Sequence, residues 1–280
     1  AEDITGIKDS TSKLAITISE PQAVLTIAGL LNDFDSYIGQ EVEINGVVTV
    51  PSGILRSDRV QVFIQDNSKR GILLESPQSG ESLNRGDSIK VNGVLSAYVS
   101  DYDDLQPQLS DATISILKQN ADIPIVNLEF INVFNEIVQI IDPEDLEPLD
   151  VIKYMNTYVK FYGKIVSRED NLGGGTNITL QDQNGAFTTV RIWNSTNILY
   201  DSAEDLINYE LDSLLRIGNN IEIAGIAGQY RGGSQIQPAY NFDIVEKLEG
   251  IIGDYRAELS VSPYPFVPQL GEVIKYSYSF

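Results

Sequence analysis

One stretch of sequence occurs twice in this chain and decides its fold: YIGQEVEING at residues 37–46 and YMNTYVKFYG at residues 154–163. Three further blocks match in the same order. They pair Gln65-Asp66 with Gln181-Asp182, then Leu83, Gly86, Ile89 and Gly93 with Leu215, Gly218, Ile221 and Gly225, and last Gln106-Pro107 with Gln237-Pro238. The offset between the copies is nearly constant, apart from one jump of about fifteen residues between the second and third blocks. This pattern indicates two duplicated domains with a single insertion.

Within each copy the apolar residues alternate with a period of two, which is typical of half-buried β-strands. The groups are Val42, Ile44 and Val48, then Val62 and Ile64, then Ile89 and Val91 in the first copy, and Val159, Phe161 and Ile165, then Ile178 and Leu180, then Ile221 and Ile223 in the second. Gly46 and Gly163 fall inside the first strand of each copy, where glycine usually marks a bulge or a sharp bend. Both features are expected of a small barrel.

The extra residues of the second copy lie between its third and fourth predicted strands. Apolar residues at roughly helical spacing predict a helix within residues 195–215, whereas the first copy has a short loop at residues 76–81. Five short strands with an optional helix at that place are the layout of an OB-fold, a small Greek-key barrel. We therefore predict a mainly β protein with two tandem five-stranded OB-fold barrels, a short helix in the second, and a C-terminal β segment.

The repeat also divides the chain into five segments. They are an N-terminal strand or leader at 1–30, the first OB-fold at 31–117, a linker at 118–150, the second OB-fold at 151–248 and a C-terminal β segment at 249–280. The linker is too long and too apolar for a free connection, so we expect it to pack between the barrels. In the last segment, Ile274, Tyr276, Tyr278 and Phe280 would form an apolar strand face that nothing in the same segment covers.

Composition restricts the chemistry that the chain can perform. Cysteine and histidine are both absent from its 280 residues, which excludes disulfides, thiol nucleophiles, serine–histidine triads and most zinc sites. We therefore expect no catalytic site and no cofactor. The net charge is −21, but residues 37–110 and 154–247 each carry only −4, so most of the acidity belongs to the connecting segments. No apolar run is long enough for a transmembrane helix, and we expect no membrane insertion.

Three runs of the first copy carry a resemblance to known proteins: Phe63-Ile64-Gln65-Asp66, Gly71-Ile72-Leu73-Leu74, and residues 83–93, LNRGDSIKVNG. They resemble the OB domains of secreted bacterial nucleases and multidomain surface proteins. That resemblance implies an accessory module, often a nucleic-acid-binding one, without catalytic residues. The tail from Ser262 resembles the first strands of an immunoglobulin-like module. The resemblance implies a secreted or cell-surface bacterial protein, and the opening Ala1-Glu2-Asp3 suits a chain whose signal peptide has been removed.

The outer face of the second barrel holds the candidate ligand residues. If Val190 and Ile192 point inward, neighbouring Arg191 and Trp193 point outward, and cations with aromatic rings suit stacked bases or sugars. The candidates on this face and on the loop between the last two strands are Lys160, Tyr162, Lys164, Gln181, Arg191, Trp193, Tyr230 and Arg231. The alternative interpretation is structural: Trp193 covers the helix or packs on the other barrel, and Tyr230 and Arg231 form an ordinary hairpin turn. The first barrel has Glu41 and Glu43 near the equivalent places, which disfavours phosphate.

Asp101, Asp103 and Asp104 form an acidic loop in the first copy. Clustered carboxylates can hold Ca²⁺, although the EF-hand pattern is not met because Gln106 and Ala112 stand where it needs glycine and glutamate. A solvated acidic loop is the alternative interpretation.

Together these observations predict a non-catalytic binding or spacer protein that contacts oligosaccharide or single-stranded nucleic acid through its second barrel. Two alternatives remain open. One is a structural subunit of an extracellular assembly, joined to copies of itself or to other protein domains by strand addition through its terminal segments. The other is an accessory region of a larger secreted nuclease.

Overall fold

The computed structural model describes residues 25–78, 80, 82–128, 154–181 and 187–246. Both copies of the repeat lie within one compact unit. None of the helices in these ranges is long and apolar enough to cross a membrane. The predictions for the leader up to residue 24, for linker residues 129–150 and for the C-terminal segment with its apolar strand lie outside the described residues.

The first copy forms a closed five-stranded barrel. Its strands are β1 (Glu41–Val50), β2 (Gln61–Gln65), β3 (Gly71–Glu75), β4 (Ser88–Val99) and β5 (Leu105–Lys118). The order around the barrel is β1-β2-β3-β5-β4, and β4 pairs back with β1. All neighbours are antiparallel except β3 and β5. This is the Greek-key arrangement of an OB-fold.

The second copy repeats the arrangement. Its strands are β7 (Tyr158–Glu169), β8 (Gly175–Gln181), β9 (Phe187–Trp193), β10 (Asn220–Tyr230) and β11 (Gly233–Gln237), with the short strands β6 (Val126–Asn127) and β12 (Ile244–Glu246) added beside β7 and β10. The order is again β7-β8-β9-β11-β10, with β9 and β11 parallel and β10 pairing back with β7. The predicted fold class is therefore confirmed.

Equivalent irregularities bend the first strand of each barrel. The strand register shifts between Val48 and Val50 in β1, and between Ile165 and Ser167 in β7. The strand glycines lie just before these bulges. A Cβ atom on Gly163 would lie 2.9 Å from the carbonyl oxygen of Gln181, so a side chain there would collide with the neighbouring strand.

Different helices pack on the cores of the two barrels. In the first barrel, α1 (Ile27–Asn32) buries Ile27, Leu30 and Leu31 in the core, and α2 (Phe34–Tyr37) follows it. The turn after β2 caps α1, because Asp66 and Ser68 accept hydrogen bonds from the first amides of the helix. Helix α1 spans the boundary that the sequence suggested at residue 30.

In the second barrel the inserted segment buries Ile198, Leu199, Leu211 and Leu215 in the core. Only α3 (Tyr209–Leu214) is α-helical, although the spacing predicted a helix somewhere in residues 195–215. The segment begins with a 3₁₀-helix, Asn194–Thr196, and Asn197 and Glu204 then adopt left-handed backbone conformations (φ 52° and 66°) that interrupt helical winding. A second 3₁₀-helix, Asn241–Asp243, precedes β12.

Candidate binding cleft

The outer face of the first barrel is covered by the second barrel. Phe63 on β2 and Leu73 on β3 point away from the barrel interior, yet they are only 6% and 0% exposed. They pack in one apolar cluster with Tyr158 and Ile226 of the second barrel. Because OB-folds usually bind ligands across strands 2 and 3, the first barrel has its usual ligand face occupied by its own duplicate.

Buried hydrogen bonds fix this contact. The Gly71 amide donates to Thr157 Oγ1 at 3.0 Å, and the Tyr158 amide donates to Gln65 Oε1 at 2.6 Å. Gln106 Nε2 donates to Asn156 Oδ1 at 2.7 Å, while Asn156 Nδ2 donates to the carbonyl of Pro107 at 2.8 Å. Gln65 and Gln106, which match Gln181 and Gln237 in the second copy, therefore form hydrogen bonds between the barrels.

Arg85 joins the barrels at a second cluster. Its guanidinium lies 4.5 Å from the ring centre of Tyr158 and 4.8 Å from that of Tyr240, and it donates to the carbonyl of Thr49 at 2.7 Å. The Tyr158 hydroxyl donates to the Asp243 carboxylate. Burial raises the pKa of both groups. These four side chains hold the barrels together, and none of them lines the cleft described next.

Beside the interface lies a cleft of about 320 Å³ that both barrels line. The first barrel contributes the β1–β2 loop (residues 51–60), the start of β2, the end of β4, the β4–β5 loop (residues 100–104) and the start of β5. The second contributes β9, β10 and β11. The lining side chains include the aromatic Tyr98, Tyr102, Trp193 and Tyr230, the cationic Arg56 and Arg59, and the amides of Gln61, Gln106, Gln229, Gln235 and Gln237.

Three tyrosines form the open rim of the cleft. Tyr98, Tyr102 and Tyr230 are 46%, 48% and 50% exposed. Tyr102 and Tyr230, from different barrels, meet edge to face with ring centres 5.7 Å apart. Arg231 holds this pair, since its Nη2 donates to the Tyr102 hydroxyl at 2.6 Å and its guanidinium lies 4.4 Å from the centre of the Tyr102 ring.

Asp104 anchors the turn of the second barrel to the first. Its carboxylate accepts the amides of Arg231 and Gly232, each at 2.8 Å. Both of those residues have positive φ (53° and 79°), as a tight hairpin turn requires. Asp101 and Asp103 are exposed. No group of three acidic side chains that could hold a metal ion occurs among the described residues, so the structure does not gather the predicted calcium ligands into a cation site.

Trp193 lies where the cleft meets the interface. Its Nε1 donates to Gln237 Oε1 at 2.8 Å, and the ring packs against the apolar cluster between the barrels. The guanidinium of Arg191 lies 4.1 Å from its ring centre and that of Arg56 lies 5.7 Å away. Arg191 is itself buried, which lowers its pKa, and it donates to Asn177 and to the carbonyl of Gly173. Trp193 thus packs on the neighbouring barrel and lines the cleft as well.

The structure divides the predicted site residues. Trp193 and Tyr230 line the cleft, with Arg191 and Arg231 in support. Lys160, Tyr162, Lys164 and Gln181 do not line it. Lys160 forms an ion pair with Glu222 at 2.8 Å. Lys164 and Gln181 are cross-strand neighbours on β7 and β8.

The first barrel contributes lining residues that the sequence did not predict, chiefly Arg56, Arg59, Tyr98 and Tyr102. The repeat carried a signal for one of them. At the offset that relates Leu83 to Leu215, Tyr98 corresponds to Tyr230, one of the candidate residues of the second copy.

No protein-family model matches this chain, and no curated protein matches it. Among solved structures, it is similar to the S. pombe Stn1–Ten1 complex (16% identity, 32% of this chain and 57% of that chain, TM-score 0.25). It is similar to a replication protein A heterotrimer bound to ssDNA (11% identity, 33% and 58%, TM-score 0.23). It is also similar to asparaginyl-tRNA synthetase from Pyrococcus horikoshii complexed with asparaginyl-adenylate (13% identity, 38% and 20%, TM-score 0.26). The chain spans less than two thirds of the length of each of these proteins.

Proposed function

We propose that this chain is a non-catalytic binding module. Its ligand is an oligosaccharide or a single-stranded nucleic acid, held in the cleft between the barrels. The observation that carries the proposal is the gathering of three half-exposed tyrosines and the single tryptophan of the chain around one cleft of about 320 Å³. Clefts of roughly 300–1,000 Å³ are typical of ligand sites in proteins.

The loops that line the cleft support the same proposal. OB-folds bind polymers across strands 2 and 3 with the help of the loops between strands 1 and 2 and strands 4 and 5. Both of these loops of the first barrel reach the cleft, together with the β10–β11 hairpin of the second. A ligand displaced from the covered strand face would still meet these loops. Each ring stacked on an exposed aromatic side chain adds about 1–3 kcal/mol to binding.

The polar groups of the cleft favour binding over catalysis. General acid–base chemistry needs a carboxylate or another titratable group that is free to reach the substrate. Of the two lining carboxylates, Asp104 uses its oxygens on two backbone amides, so the exposed Asp101 has no second free carboxylate beside it in the lining to act as its acid or base partner. A secreted or cell-surface location belongs to the same proposal, on the basis of the sequence resemblance alone.

Fluorescence of Trp193 tests the proposal directly, because this residue lines the cleft and no other tryptophan contributes. Titration with oligosaccharides and with single-stranded DNA should produce a saturable change with one class. Tyr98→Ala should weaken that binding about tenfold, through the loss of one stacked ring. Tyr209→Ala is the matched control, since Tyr209 is 72% exposed and lies outside the cleft. Equal binding by both variants, or no change with either class of ligand, would contradict the proposal.

A further inference from the structure

We infer that the ligand of the cleft is an uncharged oligosaccharide. This inference rests on the proposed function of the cleft and identifies the class of polymer that it takes. Three observations carry it: the balance of charge in the lining, the carboxylate that lies against the lining arginines, and two glutamine amides that make no hydrogen bond to another described residue.

The charged side chains that line the cleft cancel one another. They are Arg56, Arg59, Asp101 and Asp104, two cations and two carboxylates. Nucleic-acid-binding faces instead carry an excess of lysine and arginine, because each bound phosphate has to be neutralised. The two copies of the repeat, at −4 each over residues 37–110 and 154–247, supply no excess of positive charge either.

A carboxylate also lies against the two lining arginines. Asp58 holds Arg56 in a bidentate pair, and its Oδ2 lies 3.9 Å from Nε of Arg59. A phosphate bound to either cation would lie close to this carboxylate and be repelled by it. A hydroxyl group carries no charge and can accept from the remaining N–H donors of the arginines.

The amides of the cleft suit hydroxyl groups. Gln61 donates to Glu75, Gln106 donates to Asn156, and Gln237 accepts from Trp193. Gln229 and Gln235 also line the cleft, and their side chains make no hydrogen bond to any other described residue. An amide offers both a donor and an acceptor, which matches a sugar hydroxyl, whereas a phosphate oxygen at neutral pH only accepts. Beside these amides, the exposed rings of Tyr98 and Tyr230 can pack against the C–H face of a sugar.

Calorimetric titration of the full chain tests the inference. The probes are neutral hexasaccharides of glucose, mannose, xylose and N-acetylglucosamine, a hexasaccharide of a uronic acid, and a deoxythymidine dodecamer, each at about 50 and about 200 mM NaCl. We expect at least one neutral hexasaccharide to bind with a Kd that changes less than about twofold between the two salt concentrations. We expect the dodecamer not to bind.

Two variants identify the groups responsible. Gln229→Ala and Gln235→Ala should each raise the Kd of that neutral sugar about tenfold, because each removes a hydrogen bond that water then has to replace. Their melting temperatures should match that of the wild type, since neither side chain has a described partner. Tyr209→Ala again serves as the control.

The possible results separate the two proposals. If the dodecamer or the uronic acid hexasaccharide binds, the neutral sugars do not, and Tyr98→Ala weakens the binding, the inference about charge is wrong and the proposed function of the cleft stands. If none of the probes binds, both are wrong. If a neutral sugar binds equally well to Gln229→Ala and Gln235→Ala, the assignment of the amides is wrong.

Discussion

Gly71 of the first barrel lies so close to Asn156 of the second that a Cβ atom on Gly71 would be 2.2 Å from the Asn156 carbonyl oxygen. Backbone atoms form both sides of this contact, so neither side can move aside without shifting a strand. The Asn156 backbone is itself left-handed, with φ 63°. The distance between the barrels, and with it the width of the cleft, therefore depends on the absence of a side chain at position 71.

Gly71→Ala should lower the free energy of unfolding by about 2–3 kcal/mol, because an added methyl group forces packed backbone apart. Thermal unfolding followed by circular dichroism measures the loss. Gly80→Ala is the control, since a Cβ atom there would meet nothing within 4 Å. A Gly71→Ala protein as stable as this control would show that the interface adapts easily.

Asp104→Asn should destabilise the protein by about 1–3 kcal/mol, because one amide of the Arg231–Gly232 turn would face an NH₂ group in place of a carboxylate oxygen. Urea denaturation measures the change. Asp101→Asn, an exposed position in the same loop, should have no effect. Equal stability of the two variants would mean that the turn does not depend on Asp104.

The contribution of the Arg56–Asp58 ion pair to stability depends on pH. A hydrogen bond from Arg56 lowers the pKa of Asp58 from its ordinary 3.8 to about 2. The pair therefore favours the folded state above pH 3.8, and that contribution disappears as the pH falls through about 2. Asp58 is exposed to solvent, so the sharper readout is its own titration by NMR. In Arg56→Gln its pKa should return toward the ordinary value, and an unchanged titration would contradict the assignment.

Arg85→Lys should destabilise the protein by about 1 kcal/mol although the charge is kept, because lysine cannot stack a planar group on Tyr158 and Tyr240 while bonding to Thr49. Chemical denaturation gives the difference. Arg59→Lys, on the exposed β1–β2 loop, is the matched control for the general effect of this replacement. Arg85 would be unimportant to the interface if the two variants unfolded at the same denaturant concentration.

The repeat predicted the barrels well because strand periodicity and the place of an insertion are local features of a sequence. The cleft was harder to predict because it depends on which surfaces meet. Gln65 bonds to Tyr158, 93 residues away, and no periodicity indicates such a partner. The run Gly71-Ile72-Leu73-Leu74 gives part of the answer. Its apolar residues do not alternate with polar ones, and such a strand is usually buried on both faces. Such a run shows that something covers the strand, but it does not identify what does.

The covering of Phe63 and Leu73 has a consequence for how this chain can change in evolution. A duplicated domain normally leaves a spare copy that can be lost or released as a separate protein. Here, removal of the second barrel would leave an apolar strand face of the first open to water, and a newly exposed face of that kind promotes aggregation. The two copies have become mutually dependent, so we expect selection to keep them together even when the ligand changes.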